Sequence, residues 1–215
     1  MANNVVKVNG IAIANIAKLN GITDANLVKL NGREFTGAPP DDHVLLATAT
    51  GAYTRSFTTS IDSTYDVYEF RFENMHPVYN GVGFQFQVSD GQSGFNQVMT
   101  TTLWREYTSE SGSASFGYLS TLDQAQTQLK QQISPGVTNG NDESTSGILT
   151  LYAPSSTAYV KHFVARTNVS SGTYCMGYHT AGYINTTSAI TQIAFSFSTG
   201  TIQAGQIKMY GIAKA

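Results

Sequence analysis

The chain has 215 residues, of which 12% are charged, with a formal net charge of −2 and a pI near 6.0. Charge this sparse and slightly acidic offers no basic field to neutralise a run of phosphates, so nucleic acid is not an expected partner. No apolar run approaches the roughly 20 residues of a bilayer-spanning helix, so membrane insertion is not expected either.

The first element is a repeat. Val5-Val6-Lys7-Val8-Asn9-Gly10 recurs as Ile16-Ala17-Lys18-Leu19-Asn20-Gly21 and as Leu27-Val28-Lys29-Leu30-Asn31-Gly32, at a strict 11-residue period. A unit this small cannot bury its own apolar residues and must stack on neighbours or on other chains. An 11-residue period also suits a right-handed coiled coil, but an Asn-Gly pair in every unit opposes a continuous helix. Two local readings remain open. One is a short helical turn per unit, with Asn15 or Asn26 as N-cap and Gly21 or Gly32 as the left-handed stop. The other is a short strand with an Asn-Gly corner. Under either, Val5, Val8, Ile16, Leu19, Leu27 and Leu30 form an apolar assembly seam. Lys7, Lys18 and Lys29 form a separate basic column, either solvated or set against acidic groups of a partner.

Residues 1–37 are accordingly read as an N-terminal arm of three repeats and 38–43 as a linker, with Gly37-Ala38-Pro39-Pro40-Asp41-Asp42 breaking the period. The main domain is 44–215. There the signal is alternation: Tyr68, Phe70 and Phe72 oppose Val67, Glu69 and Arg71; Phe84, Phe86 and Val88 oppose Gln85 and Gln87; Ile193, Phe195 and Phe197 oppose Ala194 and Ser196. Period-two segments near 44–50, 53–59, 65–73, 82–89, 97–108, 147–153, 159–167, 173–179, 190–198 and 205–213 predict about ten strands. Leu122, Ala125, Leu129 and Ile133 have helical spacing, predicting one short surface helix before a turn-rich loop over 134–147. The fold class predicted is all-β, an antiparallel jelly-roll-like β-sandwich preceded by a short repetitive assembly arm.

Chemistry is sparsely signalled. The lone Cys175 excludes an internal disulfide and reads as a small core residue. Among His43, His76, His162 and His179, His162 reads as a partly buried structural histidine sharing a face with Val160 and Val164. Gly91-Gln92-Ser93-Gly94 is a turn, not a nucleophile elbow. The carboxylates Glu106 with Glu110, and Asp142 with Glu143, read as solvated charges and not as a hydrolytic pair. Asn139, Asn141, Asp142 and Glu143 lack the repeated carboxylates of a calcium loop. No catalytic residue, metal site or cofactor is predicted, and the chain reads as non-enzymatic. Trp104 and Tyr107, flanking Arg105 and Glu106, are the candidates for receptor contact, because aromatic faces beside planar polar groups can stack on sugar rings. Tyr79, Tyr118 and Tyr183 are placed in or near turns. The opening Met1-Ala2-Asn3-Asn4 has neither the basic nor the apolar region of a signal peptide, so folding in a cytosol is expected.

The tandem Ala-Asn-Ile-Ala-Lys-Leu-Asn-Gly, residues 14–21, resembles repeats at the start of tail-fibre-like and other virion proteins of tailed bacteriophages, particularly marine and cyanobacterial ones. Ser60–Asp66, Leu151–Thr157 with Tyr159–Phe163, and Gln206–Gly211 resemble segments of the β-rich domain of such proteins. The resemblance implies a structural protein of the virion, assembled in the host cytoplasm: a homotrimeric capsid decoration or fibre subunit. Its implied partners are its own copies and other capsid or tail proteins. A lectin-like module of a tail fibre, binding a host surface glycan, is the alternative.

Overall fold

The computed structural model describes the backbone of residues 7–8, 11–12, 18–19, 22–23, 29–30 and 33–34, and the whole of 43–50 and 53–212. The chain divides into two compact units, 1–44 and 45–215.

In the first unit the described residues up to 34 are strands in pairs: β1 (Lys7–Val8) with β2 (Ile11–Ala12), β3 (Lys18–Leu19) with β4 (Ile22–Thr23), and β5 (Lys29–Leu30) with β6 (Arg33–Glu34); its last two residues, His43 and Val44, begin β7 (His43–Ala49). The register is the same in each, with Val8 opposite Ile11, Leu19 opposite Ile22 and Leu30 opposite Arg33. Two residues, Asn-Gly every time, separate each innermost pair, and this is the dipeptide favoured by two-residue hairpin connections. Of the two local readings, the described residues adopt the strand. Val5, Ile16 and Leu27 of the predicted seam lie outside the described residues, as does most of the predicted linker.

The second unit is all-β. Its strands are β7 (His43–Ala49), β8 (Arg55–Phe57), β9 (Val67–Pro77), β10 (Val82–Ser89), β11 (Met99–Ser109), β12 (Ala114–Tyr118), β13 (Ala125–Thr127), β14 (Gln131–Val137), β15 (Ser144–Tyr152), β16 (Lys161–Ser171), β17 (Tyr174–Ile184), β18 (Gln192–Phe197) and β19 (Ile202–Ile212). They form a larger sheet ordered β12-β11-β17-β16-β15-β9-β19-β7, with β13 also on β11, and a smaller one ordered β14-β10-β18-β8. Every strand pairing whose register is resolved is antiparallel.

The core lies where phenylalanines of the two sheets meet. Phe195 on β18 contacts Phe57, Phe84 and Phe86 of its own sheet and Phe70 and Phe72 of the larger one, with ring centroids 5.1–6.4 Å apart. Phe86 meets Phe163 edge-on at 4.9 Å. The alternation read from the sequence therefore gives the inner faces of β9, β10 and β18 correctly, but on the opposing faces Ala194 and Ser196 are buried too and Gln87 is fully buried. Its amide N–H groups donate to the carbonyls of Gln97, Gln128 and Leu129, which removes the cost of its burial.

Several expectations are corrected. The segment expected to be helical carries a 3-10 turn (Ser120–Leu122) and then β13 and β14, and β14 and β15 occupy much of the expected loop over 134–147. Side-chain hydrogen bonds to the backbone hold this Gln-rich stretch extended: Gln124 donates to Leu129, and Gln131 to Leu122 and Gln132. On β16 the inner face belongs to Lys161, Phe163, Ala165, Thr167 and Val169, so His162 and Val164 are exposed. Lys161 is wholly buried, with its ammonium donating to the carbonyls of Tyr159 and Thr186; burial pushes its pKa down. Cys175 is exposed, not a core residue, because β17 turns Tyr178, Thr180 and Ile184 inward.

Phe195→Ala removes the ring that joins both sheets and should destabilise the domain by about 3–5 kcal/mol, read as a lowered midpoint in urea denaturation with little change in slope.

Candidate functional site

Strand alternation commits one face of the larger sheet to the core and presents the other outward. Register then decides which outward side chains meet. One cross-strand row runs Tyr118, Trp104, His179, Arg166, Ile148, Arg71 and Lys208, from β12 to β19. The next row, toward one end of the strands, holds Glu106, Gly177, Asn168 and Ser146. On the other side stand Val164, Thr150 and Glu69.

Between these rows the sheet carries an open groove of about 570 Å³, within the size range of small-ligand sites. His179 and Glu106 wall one side and Ile148, Thr150 and Glu69 the other, with Arg166 on the strand between them. Tyr152 and Val164, each 41% exposed, add apolar surface.

Two glycines shape the groove. A Cβ on Gly177 would meet Glu106 Oε1 at 2.6 Å, so the absence of a side chain lets the Glu106 carboxylate lie across β17, 3.5 Å from His179 Nε2. A Cβ on Gly147 would meet the Arg166 carbonyl oxygen at 2.3 Å and Thr167 Cα at 2.7 Å, so β15 and β16 approach closely beneath the groove.

The imidazole of His179 is stacked on Trp104, nearly parallel at 10° and 5.2 Å between centroids. Trp104, half-buried, does not line the groove; it backs the histidine that does. Glu69 is bound by Arg71 Nε at 2.6 Å. Arg166 is exposed and has no ion pair, hydrogen-bond acceptor or ring partner among the described residues. Asn168 donates its amide N–H groups to Cys175 Sγ and the Met176 carbonyl, leaving its amide oxygen as an acceptor at the groove. The arrangement offers an aromatic wall, apolar patches, hydrogen-bond acceptors and one guanidinium: binding chemistry for a planar or polyhydroxylated ligand.

The other sequence candidates lie elsewhere. Tyr107 is on the opposite face of β11 from Trp104, edge-on to Tyr174 at 5.8 Å and beneath the Arg105 guanidinium at 5.0 Å, so the structure does not bring the two aromatics together. Tyr79 lies in the turn after β9, Tyr118 is the last residue of β12 and Tyr183 the last but one of β17, in or near turns as expected. Gly91–Gly94 is the expected turn, fixed by Asp90 Oδ1 accepting from the N–H groups of Gln92 and Ser93. Glu143 accepts from the N–H groups of Gly140 and Gly172; the Thr138 hydroxyl first, and these N–H groups after it, hold its carboxyl below the usual range. His76 donates from Nδ1 to the Glu143 carbonyl at 2.6 Å. Lys7, Lys18 and Lys29 each lie in the first strand of a pair.

Sequence reasoning missed His179, Arg166 and Asn168. Their signal is outward phase on β16 and β17, which becomes visible only once the two strands are registered. Compared with protein-family models, curated proteins and solved structures, the chain finds no match.

Gly147→Ala forces a methyl group into backbone atoms of β16 and should cost about 1–3 kcal/mol. Thermal denaturation followed by circular dichroism measures it.

Proposed function

We propose that this chain is a non-enzymatic structural protein of a tailed-bacteriophage virion, a homotrimeric capsid decoration or fibre subunit. In this reading its N-terminal repeats anchor it and a jelly-roll-like β-sandwich domain is displayed outward. The observation that supports it is the succession of three strand pairs in one register at 11-residue intervals. A pair of two-residue strands has almost no stability alone and is completed by other units or other chains. Joining three copies of the chain would bury Val5, Val8, Ile16, Leu19, Leu27 and Leu30 together. At roughly 1.5–3 kcal/mol per side chain, the six contribute on the order of 10 kcal/mol per chain before ordering costs, sufficient to hold a small trimer.

Native mass spectrometry tests this directly. The full chain should be a trimer, and Leu19→Asp with Leu30→Asp should give a monomer whose β-sheet circular dichroism is kept. A trimer unchanged by the double substitution rejects the seam.

The second reading is a glycan-binding module, and one observation favours it: the groove walled by His179 stacked on Trp104. Trp104→Ala frees the imidazole to rotate, and glycan-array binding by the full chain should fall about tenfold. That equals roughly 1.4 kcal/mol, the upper range of an aromatic pair. Undiminished array binding in the variant removes the groove from the reading.

A further inference from the structure

The groove's charges are unequally provided for. Two carboxylates line it, and both have cationic or imidazole neighbours: Glu69 holds Arg71 at 2.6 Å, and Glu106 faces His179 Nε2 at 3.5 Å. Arg166 stands between them with no partner among the described residues. On β17 its cross-strand neighbour is His179, on β15 it is Ile148, and along its own strand the same face carries Val164 and Asn168. Side chains directly opposite each other in a sheet lie about 4.5–5.5 Å apart at Cβ. A guanidinium centred in this way is therefore within reach of a ligand that also touches the imidazole and the apolar patch.

We propose that the groove binds an acidic saccharide, with Arg166 pairing with the carboxylate of a hexuronic acid residue. This rests on the glycan-binding reading given above and adds the ligand class. Arg offers two parallel N–H donors matched to a carboxylate. The face of His179 and the side chains of Ile148 and Val164 meet the C–H surface of the pyranose ring. The Glu106 carboxylate and the Asn168 amide oxygen accept hydrogen bonds from ring hydroxyls. The Glu106 carboxylate also selects the position of the ligand's charge, because a carboxylate placed on its side of the groove would meet a like charge.

The test is isothermal titration calorimetry of the full chain with trimers of galacturonate, glucuronate and mannuronate, each beside its methyl ester, which keeps the shape and removes the charge. At least one free acid should bind ten-fold or more tightly than its ester. In Arg166→Gln that preference should fall to two-fold or less with ester binding unchanged, and Arg166→Lys should restore part of it. An unchanged denaturation midpoint shows that these exposed substitutions leave the fold intact. Equal affinity for acids and esters, unaffected by Arg166→Gln, overturns the carboxylate assignment while the glycan-binding reading stands. Absence of binding to every trimer and every ester, together with a blank neutral-glycan array, overturns both.

Discussion

The contact of Phe195 with phenylalanines of both sheets fixes the rest of the domain. It brings Phe57, Phe84 and Phe86 of the smaller sheet against Phe70 and Phe72 of the larger one. Strand side chains alternate, so seating Phe70 and Phe72 inward sends Glu69 and Arg71 outward. Register carries this choice from β9 through β15, β16 and β17 to β11. A slip of one residue between β9 and β15 or between β15 and β16 would bury Arg166 and expose Phe163 and Ala165. The groove on the outer face is thus a consequence of the core, positioned by residues that never touch it.

The same relation separates what the sequence tells from what it hides. Strands with aromatic residues on one face were legible: all ten predicted segments overlap a strand, and the inner faces of β9, β10 and β18 follow from alternation. The stretch from Ala114 to Val137 was not. After Tyr118 its apolar residues do not alternate, and Leu122, Ala125, Leu129 and Ile133 fall by chance at helical spacing. Its extended form comes from pairing of β13 with β11 and of β14 with β10, and from Gln87, whose amide bonds the carbonyls of Gln128 and Leu129, 41 and 42 positions away. Long-range bonds of this kind leave no local pattern.

His162 and Cys175 were misplaced for a related reason. In Val160, His162 and Val164 the apolar residues suggest an inward face, but Phe163, Ala165 and Val169 on the other phase bury more and win. The winning phase requires Lys161 to be buried, and two carbonyls in reach of its ammonium make that tolerable. Trp104 was legible as an unusual residue, but its partner His179 stands 75 positions away and meets it only through the register of β11 with β17. Candidate sites on sheet faces are assembled by such pairings, so an aromatic residue marks the neighbourhood and not its members.

Charge is distributed unevenly across the outer face. Toward β9 and β19 the polar groups satisfy one another: Arg71 binds Glu69 and lies over the Tyr210 ring at 4.6 Å, and Glu73 accepts from Lys208 and Gln206. Exposed pairs of this kind contribute only about 0–1 kcal/mol each to stability. Their larger effect is to remove free charge from that half of the sheet. Toward β16 and β17 the pattern changes: Gly177 admits the Glu106 carboxylate beside His179, Asn168 gives its donors to Cys175 Sγ and the Met176 carbonyl, and Arg166 has no partner among the described residues. The proposed glycan site rests on this division, because the half of the face with its charges paired has little left to offer a ligand, while the other half keeps a guanidinium in the groove.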